Sequence, residues 1–258
     1  MASLARFHKL ASAVDPAARR IRREIGRVAR ELGPADRVLD LGSGQAPYAD
    51  LFPHRRYVTA DLFGAADVRC DATILPFAAK AFDLVLCTEV LEHVPDPDAM
   101  LREIRRVIDE RGALILTTPL TWGVHAVHDY QRWTASGLVR VLARHGFQVD
   151  QVRTRGGIFL ALGALLLMIP WQLFGEARGR SWWQTALYAV TYTLLVVPAL
   201  AVAALDPLDR RKQFTQGYVS LARCAASLPA AVAAPAAGGS RSPPSPPAGR
   251  APLPGSPR

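Results

Sequence analysis

The sequence predicts an α/β fold: a doubly wound, mostly parallel sheet of seven strands, with a hydrophobic helical insert before the last strand. Three observations lead there. Short apolar runs alternate with helical stretches from Arg37 onward, a strand at Val38 runs directly into a glycine turn ending at Gly44, and two long apolar segments separate the last two strand-like runs. Strand and helix alternation favours a parallel sheet covered by helices on both faces. A chain of 258 residues is long enough for one such core plus an appendage, and too short for two generous cores.

Asp15 and Pro16 read as the N-cap and first residue of a helix reaching Leu32. Ile21, Ile25, Val28, Ala29 and Leu32 recur at helical spacing between arginines, so the helix is expected to lie on the sheet with its arginines outward, with a membrane surface or a partner as the alternative for that basic face. Strands are expected at Arg37–Leu41, Tyr57–Ala60, Asp83–Cys87 and Ala113–Thr117, with a weak one near Val68. Asp96-Pro97 opens a helix through Val107, and Thr134 caps another that stops at Gly146. Phe147–Thr154 and Gly217–Arg223 complete the sheet at one edge. After Leu228 the chain becomes Ala, Pro, Gly and Ser, which cannot bury enough surface to fold, and a disordered tail is expected over 229–258. The expected organisation is thus a basic amphipathic helix over 1–34, a catalytic domain over 35–157 and 206–228, and a hydrophobic hairpin over 158–205.

Composition removes several functions. Cys70, Cys87 and Cys224 stand far apart without a CxxC pair, which argues against a disulfide framework or a zinc site. The net charge is +9, concentrated in the flanks: residues 1–34 hold eight Lys/Arg against three acids and residues 206–258 seven against two. A near-neutral centre does not resemble a nucleic-acid channel, whereas basic flanks suit an anionic membrane. The first residues lack the apolar core of a signal peptide, so the catalytic part is expected inside the cell.

In the glycine turn Val38-Leu39-Asp40-Leu41-Gly42-Ser43-Gly44, missing Cβ atoms let a ligand approach the backbone at the end of a strand. A dinucleotide fingerprint would place a third glycine where Pro47 stands, so a ligand without a pyrophosphate is favoured. Asp61 lies seventeen positions after Gly44, where a carboxylate can accept both ribose hydroxyls.

Two later runs discriminate. Cys70-Asp71-Ala72-Thr73-Ile74-Leu75-Pro76-Phe77 precedes Phe82-Asp83-Leu84-Val85-Leu86-Cys87-Thr88-Glu89-Val90-Leu91-Glu92-His93-Val94. In order and spacing these motifs resemble class I S-adenosylmethionine-dependent methyltransferases of the methyltransferase-11 type, over about residues 38–155. The resemblance implies a Rossmann-like fold with S-adenosylmethionine as cofactor. It implies that Asp40, Gly42, Ser43 and Gly44 hold the amino-acid end of the cofactor, Asp61 its ribose, Asp71 and Ala72 the adenine, and that Thr88 lies beside the methionine moiety. Gln45 and Ala46 depart from the further glycine often seen in the first motif.

A sulfonium methyl is already activated, so transfer needs a nucleophile held about 3 Å from the methyl carbon and, for a hydroxyl, a base. His93, His128 and Asp129 are the catalytic candidates, with Asp129 orienting His128 or, alternatively, pinning its loop to Arg132; His125 is a further candidate. The spacing of His125, His128 and Asp129 matches no metal template, and no metal is expected.

Ile158–Phe174 would reach roughly 25 Å and Trp182–Leu205 roughly 36 Å as helices, against about 30 Å of hydrocarbon. Pro170 and Pro198 interrupt them, and Arg178 and Arg180 sit in the connecting loop, so a hairpin dipping into one leaflet serves as well as two crossings; packing on the domain or in a dimer is the soluble alternative. Arg153, Arg155, Arg210, Arg211 and Lys212 flank the insert and suit anionic headgroups. The expected protein is a methyltransferase at the cytoplasmic membrane face, acting on a small or lipid-linked hydrophobic acceptor (a glycolipid, quinone-type ring or apolar metabolite), with oxygen preferred as acceptor atom. A nicotinamide (NAD-type) oxidoreductase and a non-catalytic, membrane-anchored cofactor-binding module are the rival readings.

Overall fold

The computed structural model describes residues 16–124, 126–175 and 181–225. The expectations placed on Asp15, His125, Arg178, Arg180 and the 229–258 tail lie outside these residues.

Helix α1 (Pro16–Leu32) leads into a sheet of β1 (Arg37–Leu41), β2 (Arg56–Asp61), β3 (Val68–Arg69), β4 (Phe82–Thr88), β5 (Ile108–Pro119), β6 (Phe147–Thr154) and β7 (Gly217–Cys224). The spatial order is β3-β2-β1-β4-β5-β7-β6, parallel throughout except that β7 runs antiparallel to both its neighbours. The doubly wound sheet with an apolar insert before its last strand is therefore present.

Period-two alternation sorts the sheet's side chains between two layers. Leu84 and Leu86 of β4, Val38, Ile115 and Val219 pack beneath Ile21, Ile25, Val28 and Ala29 of α1. Val85 and Cys87 face the other way, toward Met100, Leu101 and Ile104 of α2 (Pro97–Val107) and Leu138, Val141 and Leu142 of α3 (Ala135–Arg144). Ile25 and Val28 are fully buried; each burial contributes roughly 1.5–3 kcal/mol. The basic helix is thus a layer of the core through its apolar stripe, while its arginines lie outward or along its edges. Asp96 accepts from Ala99 N at 2.8 Å with Pro97 in the first turn, and Thr134 accepts from Gly137 N, so both expected caps form.

β5 begins at Ile108, well before Ala113, because Ile108 pairs with Phe82 ahead of a register shift; the charged run Asp109-Glu110-Arg111 hides this in the sequence. The insert is an antiparallel helix pair, α4 (Ile158–Phe174) and α5 (Trp182–Ala204). A Cβ on Gly163 would stand 2.6 Å from the Ala199 carbonyl oxygen, so the helices meet backbone to backbone there. Their other faces expose Leu162, Leu165, Leu173, Trp182, Val190, Leu194 and Val197. Ser181 and Gln184 form a reciprocal capping box at the start of α5.

Strand order reverses between β1 and β4, the two strands that diverge from the centre of the sheet. Open α/β sheets bind ligands beyond the C-terminal ends of strands at such a point. Thr88 pairs with Thr117, and both Thr118 and Thr154 pair with Tyr218, so β4, β5 and β6 end at one edge. The insert leaves the sheet from that same edge.

Candidate functional site

A cavity of about 540 Å³ opens at the switch point. Leu41 and Gly42, at the start of the glycine turn, line it, and Gly42 and Gly44 adopt φ of 70° and 52°, the left-handed region that disfavours side chains. Their surroundings differ. A Cβ on Gly44 would meet nothing within 4 Å, whereas one on Gly42 would stand 2.1 Å from a Val90 methyl. Gly44 therefore keeps open the space a ligand needs, and Gly42 makes room for the loop after β4.

Around this turn the polar groups are pre-positioned. The Gly44 N–H donates to Asp61 Oδ2 at 2.8 Å and the Phe63 N–H to Oδ1 at 2.9 Å, which holds the carboxylate on the cavity wall. Asp40 is fully buried behind the turn and accepts from Tyr57 Oη at 2.8 Å. Burial raises its pKa to about 6, against the lowering effect of that hydrogen bond. Its Oδ1 and the Ser43 Oγ are buried without a protein partner, a pair of polar groups arranged to meet a ligand or water at the glycine turn. Asp71 Oδ1 accepts from Thr73 N and Oγ1, fixing that carboxylate at the wall beside Ala72. Of the cofactor residues expected from sequence, Gly42, Asp61, Asp71 and Ala72 line the cavity; Asp40 and Ser43 lie behind it, Gly44 joins it through Asp61, and Thr88 is outside its lining, paired with Thr117 in the sheet.

His93 and His128 both line the cavity. His93 Nδ1 contacts the His128 carbonyl oxygen, an acceptor, so that this nitrogen donates. His128 Nδ1 lies 2.8 Å from Tyr130 Oη. The expected pairing of Asp129 with His128 does not form: the Asp129 carboxylate is buried and engaged through both oxygens by the guanidinium of Arg132. A bidentate Arg–carboxylate pair is geometrically preferred and serves here to pin the loop. Arg155 also departs from expectation. It is buried and pairs with Glu89 at 2.9 Å rather than facing a membrane; Arg153 pairs with Glu31 at 2.6 Å.

Two acidic residues of the site escaped sequence reasoning. Glu89, directly after β4, holds φ at 53°, lines the cavity, and accepts from Thr117 Oγ1 at 2.9 Å through the carboxylate that also meets Arg155. A non-glycine residue in that conformation stores strain at a functional position. Glu92 is fully buried, and burial together with the Glu89 charge lifts its pKa to about 8. The spacing Glu89-x-x-Glu92 beside His93 was the available signal, but nothing local distinguishes it from the charges of a solvated turn. Among the described residues no cluster of metal-ligating side chains occurs.

The fold and site define a switch-point α/β protein with a glycine turn, a ribose-type carboxylate and no third glycine for a pyrophosphate. Residues 12–152 match a family described as methyltransferase domain. The chain belongs to that family, within the class I S-adenosylmethionine-dependent methyltransferases, and S-adenosylmethionine is its cofactor. An uncharacterized methyltransferase of Mycobacterium sp. (strain KMS) is 34% identical over 121 residues, covering 41% of this chain and 48% of the relative. The ubiquinone/menaquinone biosynthesis C-methyltransferase UbiE of Xanthomonas oryzae pv. oryzae is 33% identical over 105 residues, 32% of this chain and 42% of that one. The chain thus spans about half the length of these curated relatives. Among solved structures the [4+2]-cyclase SpnF superposes with a TM-score of 0.51 at 19% identity, covering 78% of this chain and 81% of its own, a likeness of fold alone.

The residues present fit the cofactor: the open face of Gly44, the two unpartnered polar groups beneath it and the Asp61 carboxylate are complementary to an amino acid joined to an unphosphorylated ribose. The bound cofactor supplies an activated methyl group. What the chain itself must do is hold the acceptor in line, exclude water, and accept a proton where the acceptor carries one. His93, in the cavity lining, is the candidate for the last task. The neighbouring Glu92, 3.7 Å away, is mostly protonated at neutral pH.

Proposed function

We propose that the protein transfers the methyl group of S-adenosylmethionine to an oxygen of a small or lipid-linked hydrophobic acceptor, at the cytoplasmic face of a membrane. The observation that carries this reading is where the apolar hairpin begins. It leaves the sheet at the edge where β4, β5 and β6 end, and Arg155, three residues before α4, reaches Glu89 of the cavity wall at 2.9 Å. α5 belongs to the one described helix long and apolar enough to cross a membrane, and α4 is a shorter apolar helix beside it. An acceptor dissolved in the bilayer would then meet the cavity from the side on which the hairpin is rooted. A quinone-type ring suits this geometry, and two relatives are named for ubiquinone methylation: UbiE, and the ubiquinone biosynthesis O-methyltransferase of Coxiella burnetii, 42% identical over 48 residues and covering 19% of this chain. A base at His93 supports oxygen, since a hydroxyl must lose its proton as it attacks.

The test incubates the full-length protein and methyl-labelled cofactor with membranes or soluble extract of the source organism. Label is expected in a product extractable into organic solvent, from membranes, and cleavable as an ether or ester. Label confined to water-soluble products would refute the hydrophobic acceptor.

A further inference from the structure

A second cavity, of about 630 Å³, lies apart from the glycine turn, between the first turns of α1 and the root of the hairpin. Its wall holds Arg19, Arg20, Arg23 and Lys212 together with Leu160, Ala203 and Asp206. Three of the cations come from one face of α1 because positions 19, 20 and 23 are helical neighbours. The fourth is delivered by the segment that returns from α5. The chemistry of this wall is unlike that of a solvated charge run, because the basic groups meet the start of α4 and the end of α5 rather than open surface.

Carboxylates among the described residues temper the charge. Glu24 receives Arg20 at 3.0 Å, and Asp206 receives Lys212 at 2.7 Å. Asp206 is also occupied from below, accepting from the N–H groups of Gly157 at 2.8 Å and Leu160 at 3.1 Å, while Asp209 accepts from Ile158 at 2.9 Å. The N–H groups of Gly157, Ile158 and Leu160 are therefore satisfied within the chain, and the wall offers a ligand guanidinium and ammonium groups. Among the described residues the cavity wall itself carries four cations and one carboxylate, Asp206. Around it Leu205, Leu208 and Phe214 are exposed, as are Arg210 and Arg211, a mixture of apolar and basic side chains that fits the boundary between acyl chains and headgroups.

We propose that this cavity receives the phosphate of an anionic membrane lipid, held by Arg19, Arg20, Arg23 and Lys212 while its acyl chains lie along α4 and α5. Planar guanidinium groups match phosphate oxygens in pairs, and the apolar helices rising from the same point supply what a free anion does not use. Occupancy would also tie α1 to the hairpin, fixing the edge that carries the methyl-transfer cavity toward the bilayer. The inference rests on the membrane reading of the hairpin, and its test separates the two.

Full-length protein is floated with vesicles of phosphatidylcholine alone and of phosphatidylcholine with phosphatidylglycerol, at low and high salt, using the wild type, the R19Q/R23Q variant, and R55Q/R56Q, which alters two exposed arginines at the opposite end of β2. Binding of all three proteins to neutral vesicles reports the hairpin, and its failure would remove the membrane reading itself. Phosphatidylglycerol is expected to tighten wild-type binding, with about fivefold contributed by each basic residue near an anionic surface. R19Q/R23Q should lose roughly thirtyfold of that gain, and R55Q/R56Q should keep it. Millimolar inorganic phosphate should leave the gain in place. An equal gain in wild type and R19Q/R23Q would overturn the proposal, as would its abolition by inorganic phosphate, which would assign the cavity to a free anion instead.

Discussion

Replacing Glu92 by glutamine isolates the electrostatics of the site. The carboxyl is fully buried, neither oxygen has a hydrogen-bond partner, and its pKa stands at about 8 against an ordinary 4.5, chiefly through burial and secondarily through the Glu89 charge. The folded protein thus keeps the proton up to about pH 8, while the unfolded chain releases it near 4.5. Over that window the unfolded state binds fewer protons, so stability falls as pH rises; the contribution is fully present below the unfolded pKa and is lost as pH passes through the folded one. At 1.36 kcal/mol per pH unit the interval corresponds to on the order of 5 kcal/mol, a large share of the total stability of a domain. Glu92→Gln keeps the shape and is neutral at every pH. Urea unfolding of the full chain in a neutral detergent, followed by near-ultraviolet circular dichroism at pH 5, 7 and 9, should show the two proteins within about 1 kcal/mol at pH 5 and the variant progressively more stable toward pH 9. Parallel stability curves from pH 5 to pH 9 would show that Glu92 ionises normally and would refute the reasoning.

Further substitutions probe the candidate site. Gly44→Val places a side chain in open space at a left-handed position, and Asp61→Ala removes the carboxylate held by the Gly44 and Phe63 amides, so calorimetry should show at least tenfold weaker S-adenosylmethionine binding in both; unchanged affinity in folded variants would reject the assigned cofactor site. Gly42→Val should instead act on stability, since its side chain runs into Val90. His93→Gln should lower turnover by roughly a hundredfold with cofactor affinity retained, because His93 lines the cavity and the His128 carbonyl oxygen holds its Nδ1. Wild-type turnover would exclude it as the base.

Much of the architecture was legible in the sequence because it is locally encoded. Strand and helix periods, the caps at Asp96 and Thr134, the glycine turn and the uninterrupted apolar runs are each properties of a few consecutive residues, and the corresponding elements stand where those properties put them. The position of Asp61 at the end of the second strand is of the same kind. A carboxylate that must meet a glycine-turn amide can be anticipated from the spacing of the strands that bring them together.

What only the tertiary structure decided is which side chains meet across the sheet. Asp129 turned to Arg132 rather than His128, and Arg155 left the expected basic flank to pair with Glu89 at the cavity. The state of Glu92 depends on burial by elements remote in sequence, and the basic cavity requires α1 to meet a segment nearly two hundred residues later. Hydrophobic periodicity specifies a local element and the face it buries. Charge acts through space, so the partner and protonation state of each ionisable group follow from how the chain closes on itself.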